Sequence, residues 1–184
     1  MSTSEDNINN LPRELQHSYQ RMIEEIDQLT SEAVDTNAFY NAIVNGVQRV
    51  SDCYSVNLFI INADKEWAVL EAATGKTGSL SQTVLHRRHK LAINGKSIVS
   101  RAVINHSICI ANDKQNDQPM LYSSVDLIPI HSELCAPLIS SQRNIIGILD
   151  IQSSEHEAFH EDECVFYNAV TEHIAGLLEN KNLF

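Results

Sequence analysis

Apolar residues recur along this chain with three different periods, and the changes of period mark its elements. From Leu15 onward, Tyr19, Met22, Ile26, Leu29 and Ala33 follow one another at alternating steps of four and three. That spacing predicts a helix over residues 12 to 34 with a heptad seam, opened by Pro12 at its first turn. The seam lasts fewer than three heptads, so it serves either a dimer or packing on its own domain. Asp35 and Thr36 can cap a second helix whose stripe is Phe39, Ile43, Val47 and Val50. The period then drops to two. "YSVNLFIINAD" and "EWAVLEAATG" read as a hairpin turning at Asp64 and Lys65, and "SELCAPLISSQRNIIGILDIQSS", residues 132 to 154, as another turning at "SQRN".

Between the hairpins, "HKLAI" and "SICIAND" read as short strands and "KSIVSRAVINH" as a short amphipathic helix. "KQNDQPMLYSSVDLIPIH" carries two prolines and reads as a long excursion of the kind that covers a site. A closing helix follows, with stripe Phe166, Val170, Ile174 and Leu177. The order predicts an α+β fold, an antiparallel sheet with helices gathered on one face. Residues 1 to 11 are polar and are expected to be disordered.

The 184 residues carry 13 Lys and Arg against 24 Asp and Glu, a formal charge of -11, which argues against a nucleic-acid partner. The longest apolar runs fall far short of the roughly 20 residues that cross a bilayer, and "MSTSEDNINN" has no signal-peptide pattern, so a cytoplasmic protein without a membrane partner is expected. Cys53, Cys109, Cys135 and Cys164 form no C-x-x-C pair and are expected to be reduced thiols. The histidines show no ligand spacing, so no protein-ligated metal is expected, and spacing alone leaves a lone axial histidine for haem open. His131, Ser132 and Glu133 are adjacent, and strand alternation points them to opposite faces, which rules out a relay. No phosphate-binding glycine loop is present. The run "HRRHK" offers Arg87 and Arg88 to an anion, though such runs are more often solvated loops.

Glu133 and Asp150 stand out because each interrupts a run that otherwise reads as buried. An unpaired buried carboxylate costs several kcal/mol, so these acids face water, a ligand or a loop they tie down.

The stretches "LEAATGKTGSLSQTVLHRRHKLAINGKSIVSRAVINHSICIAND", "SELCAPLISSQRNIIGILDIQSSEHEAFHEDE" and "IAGLLENKNLF" resemble a GAF domain of the bacterial signalling type over roughly residues 36 to 184. With its helix cap, the domain is drawn at 35 to 184. The resemblance implies a central antiparallel sheet with the N- and C-terminal helices on one face and a small-molecule pocket on the other. It further implies a homodimer through the terminal helices and signalling to a downstream kinase or cyclase domain. The pocket is expected to draw on Ser97, Ile98, Asn112, Asp113, Tyr122, Leu127, Glu133 and Asp150.

Methionine-R-sulfoxide reductases of this fold resemble the chain at Glu133 and Asp150, their substrate-contacting positions, but Gly95, Lys96 and Ser97 stand where that family has a reactive cysteine in a Gly-x-Cys turn. Bilin-binding relatives follow a cysteine with histidine, whereas here the followers are Tyr54, Ile110, Ala136 and Val165. Of the cyclic-nucleotide pattern only Phe159 matches, against Gln152-Ser153 and Glu163-Cys164. The expectation is a non-catalytic sensory module whose cofactor, if any, is unknown. Its rivals are a reductase of that type and a ligand-free dimerisation scaffold.

Overall fold

The computed structural model describes residues 7–75, 89–112 and 130–184. Helices α1 (Arg13–Ser31) and α2 (Thr36–Val50) lead into strands β1 (Ser55–Ile61) and β2 (Trp67–Ala73). Strand β3 (Lys90–Ala92), helix α3 (Ile98–Asn105) and strand β4 (Cys109–Ala111) follow, then the hairpin β5 (Ser132–Ile139) and β6 (Ile145–Ser153), and last α4 (Glu161–Lys181). All pairings are antiparallel, in the order β3-β2-β1-β6-β5-β4. The two edge strands are only three residues long, which limits the unpaired backbone they present.

The turns and caps form where the local chemistry calls for them. Asp35 caps α2 by accepting from the Ala38 amide at 2.7 Å. The Asn62 carboxamide oxygen accepts from the amides of Glu66 and Trp67, and Lys65 takes the left-handed conformation that closes the β1–β2 turn. In the β5–β6 turn that role falls to Arg143, and Ser140 and Asn144 bond across it. The acidic first turn of α4 suits the positive end of its dipole, and the Glu163 carboxylate accepts from the His160 amide at 2.9 Å.

Strand alternation sorts the sheet's side chains into two layers. Val56, Leu58, Leu134, Ala136, Leu138, Leu149 and Ile151 face α1, α2 and α4 in the larger core. Phe59, Ala68, Leu70, Leu91, Cys135 and Ile148 face the other way, where α3 covers them with Ile98, Val99 and Ala102. A bulge in β6 tunes this sorting: Leu138 pairs with Gly147 but Ile139 with Ile145, so Ile146 is skipped and joins the helix-side core. Gly147 belongs there because a Cβ would lie 2.5 Å from the Phe59 carbonyl oxygen.

The stripe on α1 packs inside its own domain: Met22 and Ile26 are fully buried against the neighbouring helices. The backbones of α1 and α2 meet at Gly46, where a Cβ would sit 2.7 Å from Ile26 Cγ1 and 3.0 Å from its Cα. The stripe of α4 runs through Phe166, Val170 and Ile174 to Leu178, with Leu177 only half-buried. One expectation changes at the N-terminus. Residues 1–6 lie outside the described residues, but Ile8 and Leu11 are buried in the helix-side core, because two apolar side chains suffice to pin this otherwise polar segment. No helix among the described residues is long and apolar enough to cross a membrane.

Candidate functional site

On the sheet face away from α1, α2 and α4, four strands bring polar side chains into two neighbouring rows. Register sets Asn57 of β1 opposite Asp150 of β6, Asp150 opposite Cys135 of β5, and Cys135 opposite Cys109 of β4. The next row reads Ser55, Gln152, Glu133 and Ala111. Asp150 is 1% exposed, Glu133 8% and Cys135 0%, so this is a buried polar floor in a layer otherwise apolar.

The floor is internally ordered. One carboxylate oxygen of Asp150, Oδ2, accepts from Asn57 Nδ2 at 2.9 Å and from Gln152 Nε2 at 3.0 Å. Gln152 is fixed in turn by Ser55, whose hydroxyl donates to its Oε1 at 2.9 Å. The second oxygen, Oδ1, accepts from the Cys135 thiol at 3.7 Å, and Glu133 Oε1 lies 3.9 Å from the same sulfur. Ligating atoms of Glu133, Cys135 and Asp150 all fall within 4.8 Å of one another.

Of the residues expected to line the pocket, Glu133 and Asp150 meet here, and Ile98 belongs to the same layer. Ser97 instead caps α3, accepting from the Ser100 amide at 3.0 Å. Asn112 is engaged elsewhere: its carboxamide donates to the Phe159 carbonyl at 2.7 Å and accepts from the Phe159 amide at 3.2 Å, clamping the turn before α4. Asp113, Tyr122 and Leu127 lie outside the described residues, as do Arg87 and Arg88 of the basic run. His89 and Lys90, the described end of that run, do not join the floor. Burial lowers the His89 pKa from its ordinary 6.5, and Lys90 Nζ stands 4.2 Å over the Trp67 ring. Ser132 turns to the other side, where its hydroxyl donates to the Glu155 carbonyl at 2.7 Å and accepts from the Ala158 amide at 3.2 Å. The ring of His131 stacks on His156 at 3.8 Å. All four cysteines are free thiols.

Cys135, Asn57, Gln152 and Ser55 were not foreseen as site residues. Strand alternation carried part of the signal, since Glu133 and Cys135 stand two apart on one strand, as do Asp150 and Gln152. Two cavities lie elsewhere: one of about 260 Å³ between α1 and the start of α4, lined by Met22, Cys53, Phe159 and Tyr167, and one of about 210 Å³ beside the hairpin turns. Burial, ahead of the nearby Cys53, drives the Tyr167 hydroxyl far above its usual range.

The sheet order, the helix placement and this floor define a class, and a family model confirms it: the GAF domain model matches residues 33–179, and the chain belongs to that family. No curated protein matches the chain. Among solved structures it is similar to a free methionine-R-sulfoxide reductase from Neisseria meningitidis in complex with its substrate (TM-score 0.70, 15% identity, 89% of this chain and 90% of that one). It is equally similar to the GAF domain of an Acinetobacter phosphoenolpyruvate-protein phosphotransferase (TM-score 0.70, 15% identity, 94% and 97%). The GAF domain of the corresponding Coxiella burnetii protein matches at TM-score 0.69 and 19% identity over 91% and 98%. At these identities the likeness concerns the fold.

Proposed function

We propose that this GAF domain is a non-catalytic sensory module that binds a small molecule on the floor formed by Glu133, Asp150 and their neighbours and passes the event to its terminal helices. The observation that carries the reading is the pair of buried carboxylates in the middle of an apolar layer. A ligand bearing a cation or several donors is held by such a pair in low dielectric. The same sheet is covered on its other side by α1, α2 and α4, so a ligand that tightens the floor acts on strands those helices rest on. The fold is shared with GAF domains of phosphotransferase proteins, which fits a regulatory role. Two copies pairing through α1 and α4 would use the half-buried Leu15, Tyr19, Leu29 and Leu177, since Met22 and Ile26 are already occupied.

The test is a thermal-shift and calorimetric screen of small amino compounds, nucleotides and tetrapyrroles on the wild type and on Glu133→Gln with Asp150→Asn, with hydrogen exchange of α1 and α4 as the readout of transmission. Binding that the double variant abolishes, with altered exchange in the terminal helices, supports the reading. Binding that the variant leaves intact overturns the site. The shared fold of the Neisseria reductase keeps one rival in play: turnover of free methionine sulfoxide with a thiol reductant, lost in Cys135→Ala, would replace the sensor by an enzyme.

A further inference from the structure

We propose that Glu133, Cys135 and Asp150 form a three-donor site for a thiophilic divalent cation of the zinc class. The inference rests on reading the sheet floor as the ligand-facing surface, and it names what the two carboxylates would hold.

Three observations carry it. The first is donor chemistry: one sulfur and two carboxylate oxygens, from residues all at least nine-tenths buried, suit zinc or cobalt better than magnesium or calcium, which take oxygen alone. The second is geometry. Tetrahedral bonds of about 2.3 Å to sulfur and 2.1 Å to oxygen place a sulfur and an oxygen about 3.6 Å apart. Cys135 Sγ lies 3.7 Å from Asp150 Oδ1 and 3.9 Å from Glu133 Oε1, so each sulfur–oxygen pair needs only a few tenths of an ångström of contraction, while the two carboxylates, within 4.8 Å of each other, draw together around the ion.

The third is the outer shell. Asn57 and Gln152 both donate to Asp150 Oδ2, leaving Oδ1 as the oxygen turned to the thiol, and Ser55 fixes Gln152. Metal-binding carboxylates are oriented by such partners, whose loss weakens affinity by about 10- to 100-fold. Cys109 stands opposite Cys135 in register but outside the donor cluster, its sulfur accepting from Asn105 Nδ2 at 3.6 Å. It is therefore an internal control. Three protein donors leave the fourth tetrahedral position to water or to a small ligand. On binding, the Cys135 S–H bond breaks, its electron pair becomes the metal–sulfur bond and the proton goes to solvent.

The experiment titrates the chelator-stripped 184-residue chain with Co²⁺ and follows the thiolate-to-cobalt charge-transfer absorption, then displaces the cobalt with Zn²⁺. The expected result is one equivalent of thiolate-bound cobalt, retained in Cys109→Ala, lost in Cys135→Ala, and weakened about 10- to 100-fold in Gln152→Ala. Affinity should fall as the pH is lowered, with proton uptake on metal release. If Cys135→Ala does not fold, Cys135→Ser and Glu133→Gln take its place, with the same loss expected. Cobalt that binds without the thiolate band, or a band that survives Cys135 replacement, overturns the proposal. A parallel screen of amino compounds in the presence of chelator separates the two readings. Amino-compound binding lost in Asp150→Asn, with no cobalt band, removes the metal and leaves the sensor site standing. Failure of both removes the floor as a ligand surface.

Discussion

The two faces of the sheet are built to opposite specifications. Toward α1, α2 and α4 the strands present an aliphatic layer, Val56, Leu58, Leu134, Ala136, Leu138, Leu149 and Ile151, and it is closed by helices that approach until backbone meets side chain at Gly46. Toward α3, the same strands carry an apolar rim, Phe59, Leu70, Leu91 and Ile148, around a patch of carboxylate, thiol and carboxamide. The first face is what holds a fold together. The second gives buried volume to charged and polar groups, and the proposed ligand site rests on that difference.

Substitutions on the two faces should therefore fail differently. The largest effect is expected from Leu149→Ala in the helix-side core. It should lower stability by about 2–5 kcal/mol, read as a reduced urea midpoint at unchanged slope, with any ligand response of the surviving folded protein intact. Gly46→Ala should come next, at about 1–3 kcal/mol, since its methyl must push α1 outward. A neutral result by thermal denaturation would mean that α1 is not held as described. Asp150→Asn inverts the pattern: an amide oxygen still accepts from Asn57 and Gln152 and the charge beside Glu133 disappears, so stability should change by less than about 1 kcal/mol while metal or ligand binding is lost. A loss of several kcal/mol in that variant would make the floor structural and erase the contrast.

The smallest effect concerns His89, at the edge of the α3-side layer. Its folded pKa is depressed by burial, so the unfolded chain binds the proton more readily. Stability should be full above 6.5, fall as pH drops through that value, and level off once pH is below the folded pKa. His89→Gln should flatten this slope, which paired urea titrations at several pH values will show.

Much of this architecture was legible in the chain. Both hairpins, the cap at Asp35, the short strands around α3 and the α+β layering follow from period and turn chemistry. Glu133 and Asp150 were legible as anomalies, because a charge in an apolar run calls for a reason. Their partners were not, and the β6 bulge explains why. Counting back from Ile139 opposite Ile145 would set Asp150 against Leu134 and aim it into the aliphatic core. Skipping Ile146 sets it against Cys135 on the other face. Pattern reading contains no such slip. Asn112 carries a second use that the chain did not announce: its carboxamide makes two bonds to the main chain of Phe159, which only the folded turn reveals.

The contact at Gly46 also fixes how movement can travel. Because a helix backbone, and not a pliable side chain, is what Ile26 rests against, no compressible layer lies between α1 and α2 to absorb a small displacement. A shift of α1 at this point bears directly on the main chain of α2, which packs on β1 and β2, so the joint is built as a gear tooth and not as a cushion.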